Sequence, residues 1–283
     1  MKVKCFAKLN LSLNVYKKQG LFHPIDSIAV SVDIFDTVSL TLRNDSEVTV
    51  SGTNIPLCQN TAYKAAVAFQ RRFGTCGCDI AVEKHIPVGA GMGGSSADAV
   101  GVVYCLCKLH QKETSLEEVR QICAEVGSDV NMMLTGGLCR MKGKGDDVQK
   151  LPFQDKLFFA VTLFPQGVLS KDVFARWDSF RTVGASVDND ILSQVLCDGR
   201  VQEATAMFCN GLQHASQSFN DYAENYLSTC ENLQLHPCMT GSGSAYFVAF
   251  ERETLARNAT RQLQQQGYNT ILCQSVGCGV QIV

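Results

Sequence analysis

From Val3 to Val15 the chain alternates: Val3, Cys5, Ala7, Leu9, Leu11, Leu13 and Val15 fall on one side, and Lys4, Phe6, Lys8, Asn10, Ser12 and Asn14 on the other. A period of two held over a dozen residues predicts a long β-strand with one face on a core. Lys8 and Asn10, two residues apart, point the same way from the second face, and a solvated surface is the ordinary expectation for such a face. Ser27–Leu42 continues the β pattern with a turn expected near Phe35-Asp36, and "EVTVSG" adds a short strand. Asn60–Gly74 has helical spacing, with Asn60 placed as N-cap and Gly74 as the stop. A strand in "CDIAVEKHIP" follows, then helices from about Ser96 to His110 and from Ser115 to Val126, the second opened by a Ser115–Glu118 capping box.

Gly127–Gly137 is a glycine-bounded segment, and near Pro152 the pattern changes. A strand at Leu157–Phe164 leads into several helices up to about Gln234, then "MTGSGS", the strand "AYFVAFE", a helix from about Glu253 to Gln266 and a final strand region. Strands and helices mix in both halves, which predicts an α+β protein of two domains, residues 1–155 and 156–283.

Composition narrows the partners. The 283 residues are 46% hydrophobic and 18% charged, with a formal net charge of -2. That balance speaks against nucleic acid or an anionic membrane as main partner, while leaving room for a local basic pocket. "MKVKCFAKLN" carries no apolar signal core, and the longest strongly apolar piece, "LFFAVTLF", has only the length of a buried strand. A cytoplasmic protein is expected. The 14 cysteines show CxC pairs at Cys76/Cys78 and Cys105/Cys107 but no paired CxxC, so they read as reduced structural thiols.

The chemistry begins at "PVGAGMGGSSADAV", Pro87–Val100, where glycines and serines stand between a strand and a helix. A helix N-terminus offers unpaired N–H groups and a positive dipole end, and glycines let an anion approach the backbone closely. Ser95 and Ser96 are placed to cap the helix or to bind phosphate oxygens. No Gly-Lys-Ser/Thr follows, so it is not a Walker A loop, and it does not fit GxGxxG. On spacing alone, a phosphate cradle and a tight structural turn are equally good readings.

Three ordered blocks break that tie by likeness. "PVGAGMGGSSADA" resembles the phosphate loop of the GHMP kinase superfamily, "FAKLNLSLNV" its opening strand, and "CMTGSGSAYFVAF" its third motif. Within the superfamily the chain is most similar to the kinases of cytidine-diphosphate-linked methylerythritol, through Ala7-Lys8-Leu9-Asn10, Phe22-His23 and Gly127-Ser128-Asp129-Val130. There are two departures. "QGLFHPIDS" has an extra residue after its glycine and Phe22 where the family has tyrosine, and Asn131-Met132-Met133 replaces Pro-Phe-Phe. A phenylalanine would still stack on a cytosine ring but would lack the hydroxyl contact.

The resemblance implies a two-domain GHMP kinase fold, with a ribosomal-protein-S5-like ATP-binding domain followed by a ferredoxin-like α/β domain. It implies ATP held along Pro87, Val88, Gly89, Ala90, Gly91, Met92, Gly93, Gly94, Ser95, Ser96 and Ala97, with Asn60 approaching the nucleotide. Mg²⁺ would ride on ATP and touch Ser96. Asp129 would accept the proton of the substrate hydroxyl, and Lys8 would stabilise charge on the moving phosphoryl group. Asn10, Phe22, His23, Gly241 and Ser242 would meet the substrate. Taken alone, Asp129 also reads as a turn cap, His23 as an ordinary satisfied histidine, and Gly241-Ser242 as a turn before a strand. The implied partner is a small molecule, with no nucleic acid or membrane, and the protein would be a monomer or homodimer. Another superfamily kinase, acting on homoserine or mevalonate, and a non-catalytic nucleotide-binding regulator are the competing readings.

Overall fold

The computed structural model describes residues 1–180 and 184–283. Its backbone is built on β1 (Lys2–Val15) and β2 (Ile25–Leu42), which run antiparallel from Lys2↔Ser39 to Val15↔Ile25. Leu9 and Leu11 are fully buried, as the alternation requires. The second face of β1 is not solvated, however: Lys8, Asn10, Ser12 and Asn14 are buried as well. Residues far along the chain cover it. Ser12 Oγ donates to Asn189 Oδ1 (2.6 Å), while Asn14 Nδ2 donates to the Val187 carbonyl (2.7 Å). That face is polar because it must bond backbone and amide groups from the second half, since buried polar groups need partners.

The turn expected near Phe35-Asp36 is absent. β2 runs straight through it, and the register steps from Phe6↔Phe35 to Ala7↔Val32, so that Asp33 and Ile34 form a bulge. The bulge places Asp33 Oδ1 against the Gln274 amide (2.9 Å) of the other sheet.

β3 (Val48–Ser51) is next, followed by α1 (Thr61–Phe73) and β4 (Cys78–Glu83), which pairs with β2 and β3. Asn60 caps α1 by accepting the Ala62 and Tyr63 amides, and Gly74 ends it at φ +63°. α2 (Gly94–Leu109), α3 (Glu117–Val126) and α4 (Val130–Thr135) lead to β5 (Leu138–Gly143) and β6 (Asp147–Lys150). The Ser115–Glu118 capping box does not form: Leu116 holds the cap position with no side-chain bond, and Glu118 turns to Arg72 at 3.6 Å.

Next come β7 (Phe158–Thr162), α5 (Ser170–Asp178), α6 (Asn189–Cys197), α7 (Val201–Met207), β8 (Cys209–Asn210), α8 (Gln213–Gln217) and α9 (Tyr222–Asn232). β9 (Cys238–Met239), β10 (Tyr246–Phe250), α10 (Glu253–Gln265), β11 (Thr270–Gln274) and β12 (Val280–Ile282) complete the chain. The second sheet has the antiparallel order β11-β7-β10-β9, the ferredoxin-like arrangement. β8 and β12 instead join β1, so the first strand carries pieces of both halves. All 14 cysteines are free thiols. Burial pushes Cys105 and Cys123 up to about 12, which keeps them protonated. Among the described residues no helix is long and apolar enough to cross a membrane.

Candidate functional site

The segment Pro87–Gly93 enters α2 with left-handed backbone at every second residue: Gly89 φ +70°, Gly91 φ +74° and Gly93 φ +78°. Such alternation turns successive amides to one side as a concave anion site. Glycine is required at position 91 for a second reason, because a Cβ there would stand 2.2 Å from the Thr240 carbonyl oxygen.

The carbonyls from Gly89 to Met92 are each hydrogen-bonded to a residue outside the loop. Gly89 O accepts from Val168 N (3.3 Å) and Ser244 N (3.2 Å), and Ala90 O from Ala245 N (3.2 Å). Gly91 O accepts from Thr240 Oγ1 (3.3 Å), and Met92 O from Lys8 N (3.0 Å). Among the described residues, the amides from Val88 to Ser96 have no protein acceptor. Gly93 stands at the N-cap of α2 with no side-chain cap, so neither Ser95 nor Ser96 caps the helix. A purely structural turn would pair those amides; an anion cradle leaves them open.

A cavity of about 360 Å³ opens on this loop, with Ile55 and Thr61 on its wall. Asn60 and Ala97 are buried and do not line it: Asn60 is engaged with the α1 amides and with Thr53 Oγ1 (2.9 Å). Beneath the loop lies an ionic group invisible in the sequence spacing. Lys84 Nζ sits 2.5 Å from Asp36 Oδ2 and 2.8 Å from Asp98 Oδ2. Burial pushes the Asp98 carboxyl up to about 7, against the pull of Lys84.

A larger cavity, about 580 Å³, meets the first at Lys8, Ser128, Asp129, Ser170, Gly241 and Ser242. Lys8 is buried, and its Nζ lies 3.5 Å from Asp129 Oδ2 and bonds Asn10 Oδ1. Asn10 Oδ1 also accepts the Gly241 amide (3.0 Å), its Nδ2 donates to Ser27 Oγ (2.8 Å), and its own amide donates to Thr240 Oγ1 (3.0 Å). Asp129 stands at the N-cap position of α4 but makes no capping bond, so its carboxylate faces Lys8 at the junction. The altered residues after it are core: Met132 and Met133 are fully buried. Met133 Sδ packs under Gly93, 2.9 Å from where a Cβ would be.

Phe22 and His23 stand on the wall of the larger cavity. His23 Nε2 lies 2.6 Å from Asp178 Oδ1, with its ring stacked 5.0 Å from Phe174 and edge-on to Trp177 at 5.5 Å. Lys144 Nζ hangs 4.8 Å over the Phe22 ring, and Lys171 adds a further cation to the wall. Ser242 Oγ bonds Ser170 Oγ at 2.7 Å, and Asn210 Nδ2 fixes the Gly241 carbonyl at 2.8 Å. Phe174, Asp178, Lys144 and Lys171 carry no sequence signature; on their own they look like helix core and solvated charge. The ensemble is an amide-lined slot joined to an aromatic and cationic chamber, with a paired lysine and carboxylate between them. Among the described residues no group of three or more His, Cys, Asp or Glu is arranged to hold a metal ion.

Known proteins resemble this chain in sequence and in fold. The family described as GHMP kinases N terminal domain matches residues 60–138. A 4-diphosphocytidyl-2-C-methyl-D-erythritol kinase of Clostridium perfringens is 31% identical over 278 residues, covering 92% of each chain. A crystal structure of 4-(cytidine 5'-diphospho)-2C-methyl-D-erythritol kinase superposes with a TM-score of 0.79 at 24% identity, over 98% of this chain and 100% of that one. A homoserine kinase from Cytophaga hutchinsonii has the same fold, with a TM-score of 0.77 at 17% identity over 100% of this chain and 97% of its own.

Proposed function

This chain belongs to the 4-diphosphocytidyl-2-C-methyl-D-erythritol kinase family of GHMP kinases, and we propose that it transfers the γ-phosphoryl group of ATP to the 2-hydroxyl of that substrate in the non-mevalonate isoprenoid pathway. The observation that carries the reading is the junction of the two cavities at Lys8 and Asp129. The open amides of the glycine loop bind the triphosphate in the smaller cavity. The cytidine end of the acceptor enters the larger one, against Phe22 and His23. Its 2-hydroxyl then meets the γ-phosphate where Asp129 takes the proton and Lys8 stabilises the charge on the phosphoryl group in flight. Asn10, Gly241 and Ser242 hold the phosphate side of the acceptor.

Mg²⁺ accompanies the nucleotide. With only the hydroxyls of Ser95 and Ser96 offered from the first turn of α2, Ser96 being the one we assign to the metal, the residues fit an ion that would keep phosphate and water as its main ligands. When bound, it neutralises charge on the β- and γ-phosphates. We further propose residues 1–155 and 156–283 as the two units, with β8 and β12 lent back to the first, and a cytoplasmic location.

Purified protein with ATP, Mg²⁺ and 4-diphosphocytidyl-2-C-methyl-D-erythritol should release ADP. Homoserine and mevalonate, offered in parallel, should not support release. No turnover above background with the cytidine substrate would overturn the assignment.

A further inference from the structure

We propose that Asp36 is the positioning residue of the nucleotide loop, acting through Lys84 and through the backbone amides of His85 and Ile86. The proposal rests on the loop being the nucleotide site and adds a residue that touches no ligand. Asp36 is fully buried, on β2 just past the Asp33–Ile34 bulge. Both of its carboxylate oxygens are spent on the chain that leads into the loop. Oδ1 accepts the His85 amide at 2.6 Å and the Ile86 amide at 2.8 Å, and Oδ2 accepts Lys84 Nζ at 2.5 Å.

Lys84 extends that hold to the far end of the loop, because the same ammonium group donates to the Gly94 carbonyl, 3.2 Å away at the start of α2. One carboxylate therefore fixes the stem at residues 84–86 directly and reaches the start of α2 through Lys84, whose ammonium group Asp98 Oδ2 (2.8 Å) also holds from the helix side. Between those points lie Gly89, Gly91 and Gly93, residues that by themselves hold no fixed conformation. Pinning both ends limits where their open amides point. Lys84 lines the loop cavity and not the larger chamber, so the effect falls on one ligand only. Charge-assisted bonds of this kind are the strong ones, and the bond to Lys84 depends on the carboxylate charge.

Asp36→Asn keeps the shape and one acceptor oxygen but loses that charge. KM for ATP should rise about tenfold, the equivalent of one strong hydrogen bond, while KM for the cytidine substrate stays unchanged and the melting temperature is followed alongside. An unchanged KM for ATP would overturn the proposal, as would an equal rise for both substrates with a matching loss of stability, which would mark a structural residue. A second measurement needs no variant. Coupling between two sites is reciprocal, so the His85 and Ile86 amides of the wild-type protein should exchange hydrogen more slowly when ATP is bound. Equal exchange with and without ATP would overturn the role of Asp36. Wild-type protein that binds no ATP at all would instead overturn the loop assignment beneath it.

Discussion

Asp129 occupies the opening position of α4 yet gives its carboxylate to Lys8 Nζ, 3.5 Å away, and to no amide of the helix it begins. A cap would have used that carboxylate locally; here it stays available to a hydroxyl at the junction of the cavities. Asp129→Asn keeps the shape and removes the proton acceptor. It should lower kcat by about 10²–10⁴-fold with ATP binding retained, as measured by steady-state rates and nucleotide titration. Near-wild-type turnover would remove Asp129 from the base role.

Asn10 is the hub between the lysine and the acceptor turn. Its side chain bonds Lys8 Nζ, Ser27 Oγ and the Gly241 amide within a buried environment. Asn10→Ala strands those groups, at a cost of about 1–3 kcal/mol for a buried unsatisfied partner. Both the denaturation midpoint and kcat should fall, and a variant of undiminished stability and rate would show that the network is dispensable.

Gly91 and Gly267 separate strain from crowding. Both have positive φ, +74° and +86°, but a Cβ at Gly91 meets Thr240 O at 2.2 Å, whereas at Gly267 it meets nothing within 4 Å. Gly267→Ala carries only the conformational penalty, roughly 1–2 kcal/mol. Gly91→Ala must also displace the turn at Thr240, so it should lose more stability and weaken ATP binding as well. Equal effects in urea unfolding and ATP titration would refute the crowding argument.

Asp98 sets a pH dependence. Burial lifts its carboxyl to about 7 in the folded protein, well above the ordinary value near 3.9 of the unfolded chain. The folded state therefore holds a proton that the unfolded state releases, and the stability this contributes is lost as pH rises from about 4 through about 7. Between pH 5 and pH 8 the wild-type protein should lose stability relative to Asp98→Asn. Parallel urea midpoints across that range would contradict the environment seen at Asp98.

What the sequence made legible was local. The alternation of β1, the Asn60 cap with its Gly74 stop, and the glycines at every second loop position are all written within a few neighbours. What stayed hidden depends on residues distant in the chain. The polar face of β1 looks solvated until Val187, Asn189 and Thr240 cover it. Asp36 looks like a turn residue until its partners at 84–86, nearly fifty positions on, come into place. Phe174 and Asp178 lie on an amphipathic helix where only the fold reveals that they hold His23.

The hydrogen-bonded carbonyls of the glycine loop bear on how the two halves of the chain are held. Val168, Thr240, Ser244 and Ala245 all donate to the loop, and all belong to the second half of the chain. A clamshell opening of the two halves would strip those hydrogen bonds together, at roughly 1 kcal/mol each. That cost opposes such an opening, and because Gly241 and Ser242 line both cavities a substitution in the late "TGSGS" turn should disturb the glycine loop and the acceptor side together.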